Sequence, residues 1–306
     1  MDGTQTTASS LASVEATLRD ELAQGDAALS AATPILQRLL AHHDPGLIND
    51  EVVARVRGML ADIARQLLEA TGPGGDAFGG GLVQALVRNE ALVTHLHALA
   101  IESRLADRLE ADAGIDPVLS PLLEGLIAGG DEVLAGAAMA AMSAQSGFIA
   151  QQRRMVHPLG ELPGELFQAA LAALRGIADV GEGAEAALRR GFGEGRGRLD
   201  LLNRLVMRTG SNAPGVLEVE RAGLGVFLTA LALAAGLERD VAAMSLASRQ
   251  PARLALALRS AGLTPAAVEA QILQLRPDAT LPGAVARLGV DQAASILASA
   301  ALPGSR

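Results

Sequence analysis

Apolar residues recur along the chain at three- and four-residue spacing, the period of a helix buried on one face. Val52, Val56, Met59 and Ile63 form one such face, on a helix that Asp50 can cap. Phe167, Leu171 and Leu174 form another behind Pro163, a residue suited to a first helical turn. Asp240 precedes a shorter face of Val241, Met244 and Ala247. The fullest start signal is Thr264-Pro265: Thr264 caps, Pro265 opens the helix, and Leu263 can staple onto Val268, with Ile272 and Leu275 continuing the face. Gly262 is placed to end the preceding helix in a left-handed conformation. Leu-Ala alternation around 230–234 and 254–258 has the period of a strand. Its alternate residue is Ala, the strongest helix former, so both stretches are read as helix.

Gly-Leu followed by a cap and an amphipathic helix occurs at Gly46-Leu47, Gly236-Leu237 and Gly262-Leu263. This loose recurrence predicts short antiparallel helix pairs stacked side by side. Three glycine-rich stretches punctuate the pattern. No helix is expected to cross 71–81; 191–198 interrupts a helical pattern, and 209–215 is a loop. The fold predicted is all-α, an array of stacked antiparallel helix pairs over 115–306 with an N-terminal helical segment over 1–114.

Composition narrows the chemistry. The 306 residues include no Cys, no Trp and no Tyr, and all 25 basic residues are Arg. Without Cys there are no disulfides, thiol nucleophiles or thiolate metal sites. Without Lys there is no phosphate-loop lysine and no Schiff base. Residues 1–153 hold 9 Arg and 20 acids, whereas residues 154–306 hold 16 Arg and 14 acids. The acidic first half repels phosphates, so a nucleic-acid partner is disfavoured for the chain as a whole. The uncharged run 222–237 is shorter than a bilayer requires and is read as a core helix. The uncharged run 133–152 contains Ser and Gln and is read as an Ala-rich buried helix. These features predict a cytoplasmic protein with no membrane segment.

Few side chains are arranged for catalysis. His42 and His43 precede Asp44, an order found in metal phosphohydrolases, but no further His lies upstream. A polar helix end is the simpler reading of that trio. His95 and His97 project about 200° apart on a helix, so they do not share a metal, and both are read as exposed or at the core edge. His157 is followed at once by Pro158, which disfavours helix at that position and suits an interhelical corner. No metal or cofactor is therefore expected. One cluster has binding potential: Arg189, Arg190, Arg196, Arg198, Arg204 and Arg208. Several have an acid four residues away (Glu185 for Arg189, Glu194 for Arg198, Asp200 for both Arg196 and Arg204), as on a salt-paired solvated face. Arg190 and Arg208 are the least committed.

The stretches ELPGELFQAALAALR at 161–175 and AAGLERDVAAMSLASRQPARLALALRSAGLTPAAVEAQILQLRP at 234–277 resemble a bacterial all-helical family catalogued only as a domain of unknown function. The likeness covers about residues 116–280 and lies in helix rhythm and Leu/Ala placement. It implies a HEAT-like helical array in a cytoplasmic bacterial protein and brings no catalytic residues. The function expected is a non-enzymatic protein-interaction module of adaptor or regulatory type, with a protein partner and self-association left open. A second reading makes the Arg strip a binder of nucleic acid or a phosphorylated ligand. A third is a His/Asp metal-dependent hydrolase.

Overall fold

The computed structural model describes residues 2–41, 51–72, 78–178, 180–193, 195–247, 251–279 and 285–299. Among them every regular element is helical and there is no strand, as the apolar spacing predicts. The chain opens with α1 (Asp2–Ala41), followed by α2 (Glu51–Glu69), α3 (Gly79–Val87) and α4 (Glu90–Ala113). These four helices pack on one another. Next come α5 (Pro121–Ala128), α6 (Glu132–Arg153), α7 (Gly164–Arg175), α8 (Glu182–Gly191) and α9 (Arg198–Thr209). The series ends with α10 (Val219–Ala222), α11 (Leu224–Ala235), α12 (Arg239–Ala247), α13 (Ala252–Ser260), α14 (Pro265–Leu275) and α15 (Val290–Ser299).

Neighbours in sequence pack as neighbours in space: α2 on α3, α5 on α6, α11 on α12, and α13 on α14. Longer-range contacts join these stacks. α6 lies against α9, α9 against α11, and α1 against α13. α4 is the hub, touching α1, α2, α3, α6, α7, α11 and α12. α4 ends at Ala113, and helices before and after it share one apolar core.

Three helices stop by the same local device. Gly114, Gly236 and Gly262 follow the last turns of α4, α11 and α13 with positive φ. At α11 and α13 the next residue then donates its amide five residues back, Leu237 N–H to Ala232 O at 2.9 Å and Leu263 N–H to Leu258 O at 3.1 Å. This is the Schellman closure, which satisfies carbonyls left open at a helix end. The Gly-Leu recurrence at 236 and 262 is therefore a repeated stop signal; its third instance, Gly46-Leu47, lies outside the described residues.

Most expected faces are buried. Val56, Met59 and Ile63 are inaccessible, and Phe167, Leu171, Leu174, Val268, Ile272 and Leu275 lie in the core. Thr264 Oγ1 accepts from Ala267 N–H, and Pro265 opens α14. The 191–198 stretch separates α8 from α9, and 209–215 is a loop. Asp50 lies outside the described residues.

Other expectations are corrected. Pro163 is the residue before α7 rather than its first. Asp240 lies inside α12 and is used elsewhere, while Ala247 is exposed. The largest correction concerns 133–152. This run forms α6, but only 28% of its most apolar window is buried. Small side chains gain little from burial, so the lack of charge did not draw the whole helix inside. Among the described residues, α6 is the one helix whose length and composition would allow it to cross a membrane.

Ile272 is 2% exposed, and truncation to Ala is expected to lower unfolding free energy by about 2–5 kcal/mol. Gly262 has open space around its Cα, so Gly262→Ala should cost about 1–2 kcal/mol from backbone strain alone. Urea unfolding of the two variants measures both.

Candidate functional site

The polar centre of the molecule is the Glu102 carboxylate on α4. Its position continues the seam His95, Leu99, Glu102, Ala106, spaced four, three and four, all of it buried. Two guanidiniums grip it from different helices. Arg198, the first residue of α9, donates Nη1 to Oε1 and Nη2 to Oε2, each at 2.9 Å. Arg239, the first residue of α12, donates Nη1 to Oε2 at 2.9 Å and Nη2 to Oε1 at 2.8 Å. Both forks match the carboxylate geometry that favours Arg over Lys.

Further bonds hold the two arginines. Arg198 Nη1 also donates to Gln145 Oε1 of α6 at 2.8 Å, and the guanidinium lies 3.7 Å from the Phe148 ring centroid. The Arg198 backbone amide donates to Glu161 Oε2 at 2.7 Å, placing a carboxylate at the positive end of α9. Arg239 Nε donates to Thr229 Oγ1 of α11 at 3.1 Å. Gly225 permits the close approach of α11 to α6, because a Cβ there would lie 2.9 Å from Gln145 Oε1. Burial raises the Glu102 carboxyl pKa, but the two guanidiniums outweigh it and hold that carboxyl well below the usual range.

Beside this clamp lie two buried imidazoles. His95 Nδ1 is 2.9 Å from Asp240 Oδ2, linking α4 to α12. Its ring meets that of His157 edge-on, with centroids 6.2 Å apart. His95 Nε2 and both ring nitrogens of His157 have no protein partner. Burial, followed by the neighbouring His95 and Arg198, pushes the His157 pKa down to about 3, so the ring is neutral at pH 7. Its backbone is held firmly: His157 N–H donates to Asp62 Oδ2 at 2.9 Å, and its carbonyl accepts from Gln66 Nε2 at 2.9 Å. His157 is thus an interhelical corner, as the following proline implied. His95 is 2% exposed and lies inside the core rather than at its edge.

A cleft with room for little more than a water molecule is lined by Ser120, Gln145 and Gly225, but neither His95, Glu102 nor His157 lines it. Among the described residues, no group of three or more His, Asp or Glu is placed to hold a metal ion. His42, His43 and Asp44 lie outside the described residues.

The expected Arg strip divides in two. Arg198 is 2% exposed and belongs to the Glu102 clamp; a surface role for it is corrected. Its presumed partner Glu194 lies outside the described residues. Helix phase explains the inversion, because Arg198, Leu202 and Leu205 share the buried face of α9. Arg189, Arg190, Arg196, Arg204 and Arg208 are exposed. Arg189 makes the expected pair with Glu185, at 2.7 Å. The pairs expected from Asp200 to Arg196 and Arg204 do not form, and no ion pair engages Arg190, Arg196, Arg204 or Arg208 among the described residues. On the outer face of α9, Met207 stands 68% exposed between Arg204 and Arg208.

Arg198→Ala should cost about 3–5 kcal/mol, since it leaves a buried carboxylate with half its donors. Arg204→Ala should change stability by no more than about 0.5 kcal/mol. Thermal or urea unfolding separates the two. A second test uses pH. From about pH 6.5 down to about 3 the unfolded chain binds a proton that folded His157 does not. Stability therefore falls as pH drops through that window, by about 1.4 kcal/mol per pH unit for this group. His157→Leu should remove this part of the slope, measured by urea midpoints at pH 7 and pH 5. Glu102 acts in a lower window: its contribution is present above the unfolded carboxyl range and is lost as pH falls through it toward the lowered folded value.

Comparison with known protein families, with curated proteins and with solved structures found no match for this chain.

Proposed function

We propose that the chain is a non-enzymatic protein-interaction module of adaptor or regulatory type, and that its outer α9 face docks an acidic protein segment. The observation that carries this is the arrangement Arg204, Met207, Arg208: two exposed cations, without an ion-pair partner among the described residues, flank an exposed apolar side chain. A helix presenting two acids around an apolar residue complements that pattern in both charge and hydrophobicity. Arg190 and Arg196 add positive charge before α9, and long-range charge raises the rate of encounter.

A phosphate or nucleic-acid ligand remains the second reading, supported by the same exposed guanidiniums. The absence of Tyr and Trp removes the strongest stacking platforms for bases, which favours a protein. A bilayer is not the partner proposed, because α6 contributes Gln145, Phe148 and Gln152 to the interior. The helical-array likeness at 161–175 and 234–277 accords with a scaffold role in the cytoplasm and forms part of the same proposal.

The test compares three probes on the full chain: a synthetic acidic amphipathic peptide, duplex DNA and inorganic phosphate. The peptide is expected to bind with salt-dependent affinity. Arg204→Glu combined with Arg208→Glu is expected to weaken that binding by about tenfold or more and flatten its salt slope. Tighter binding of DNA, lost in the same variant, would establish the second reading. Peptide affinity unchanged by the reversal would remove the α9 face from the account.

A further inference from the structure

Among the described residues, one side of α6 is an exposed helix face with a defined register. Gly136, Met139, Ser143, Ser146 and Ala150 are exposed or nearly so at alternating three- and four-residue spacing. Glu132 begins this row and Arg153 ends it, keeping the same spacing of four and three. Met139 is 49% exposed, and Val133 beside the row is 59% exposed. Residues three and four apart are neighbours on a helix surface, so the row forms one continuous stripe along the length of α6. The opposite side of α6, with Ala138, Ala141, Gln145 and Phe148, is the side that packs inward.

The two ends of the row carry opposite charge. Asp131 and Glu132 lie at the N-terminus of α6, and Arg153 and Arg154 at its C-terminus. Between Val133 and Gln152 there is no charged residue. Glu132, Arg153 and Arg154 make no ion pair among the described residues. Such a face complements itself when turned end for end. In an antiparallel pair, the acids of each helix meet the arginines of the other, twice over by symmetry. The small residues between them let the two backbones approach, and the helix dipoles oppose each other favourably. A parallel pair would instead place like charges together at both ends.

We infer that α6 is the interface of a two-fold symmetric dimer of this chain, with the α6 helices antiparallel. The interface is isologous, as closed two-fold assemblies require. It uses a different helix from the acidic-segment site on α9 and does not depend on that site being correct.

Sedimentation velocity across a concentration series tests it, using the full chain and two variants at exposed positions. The wild type is expected to show a reversible monomer–dimer equilibrium. Glu132→Arg sets arginine against arginine and Arg153→Glu sets acid against acid, so each should weaken dimerisation by at least about tenfold. An equimolar mixture of the two variants should recover the dimer, because one copy then carries basic residues at both ends and the other acidic ones. Since the chain contains no Cys, Ser143→Cys near the centre of the row should give one reducible cross-linked dimer on mild oxidation. A wild type that stays monomeric throughout overturns the inference. So do variants that dimerise as well as wild type, or a mixture that does not recover. Flotation of monomers with phosphatidylcholine vesicles, abolished by Met139→Glu, would assign the face to a bilayer and equally overturn it.

Discussion

The carboxylate of Glu102 is the constraint on which the interior depends. A lone ionised acid in an apolar core is costly, and the cost falls only when donors saturate it. Two bidentate guanidiniums supply those donors, one from the start of α9 and one from the start of α12. Glu102 itself stands on α4, the helix at the hub of the packing. A single charge thus sets the positions of three helices that are far apart in sequence. The acids around it matter too. Glu161 sits beside Arg198 and Asp240 beside Arg239, so the second positive charge is also balanced. A buried ion cluster of this kind adds little net stability over an apolar core of equal volume. Its effect is to make misaligned packings expensive, because any shift of α9 or α12 leaves a buried charge with too few partners.

The same economy of charge shapes the outside. Arg198 turns inward and leaves the surface row to Arg204 and Arg208, which face solvent beside Met207. Polar chemistry inside the molecule is mutually satisfied at Glu102, and at His95 it is paired with Asp240. Among the described residues, the cations of α9 and the charges at the ends of α6 that make no ion pair lie where another molecule can reach them, whereas the unpartnered nitrogens of His95 and His157 are buried. The open exterior charges underlie the proposal of a protein-interaction surface.

Local backbone chemistry was legible in the sequence. Thr264 and Pro265 start a helix, and Gly236 and Gly262 stop one, through bonds that span no more than a few residues. The core faces at 167–174 and 268–275 followed from period alone. The central clamp was not legible, because its partners are separated by 96 and 137 positions and no local rule pairs them. A trace of it was present all the same. His95 and Glu102 interrupt an apolar four-three seam on α4, and Arg198 precedes Leu202 and Leu205 on the apolar phase of α9. A charged residue in a buried phase requires a counter-charge from elsewhere in the fold. Charge spacing treated Arg198 and Arg204 alike, whereas helix phase separates them. Composition misled at 133–152, because an uncharged run of small residues reveals nothing about which neighbours cover it.

The central claim is that Glu102 and its arginines act as one unit. A double-mutant cycle between Glu102→Gln and Arg239→Met, followed by urea unfolding at pH 7, measures this directly. Each single change leaves buried polar groups without their counter-charge, so each should be strongly destabilising. The double variant is expected to lose much less than the sum of the two, with a coupling of about 1–3 kcal/mol. Additivity to within about 0.5 kcal/mol would contradict it.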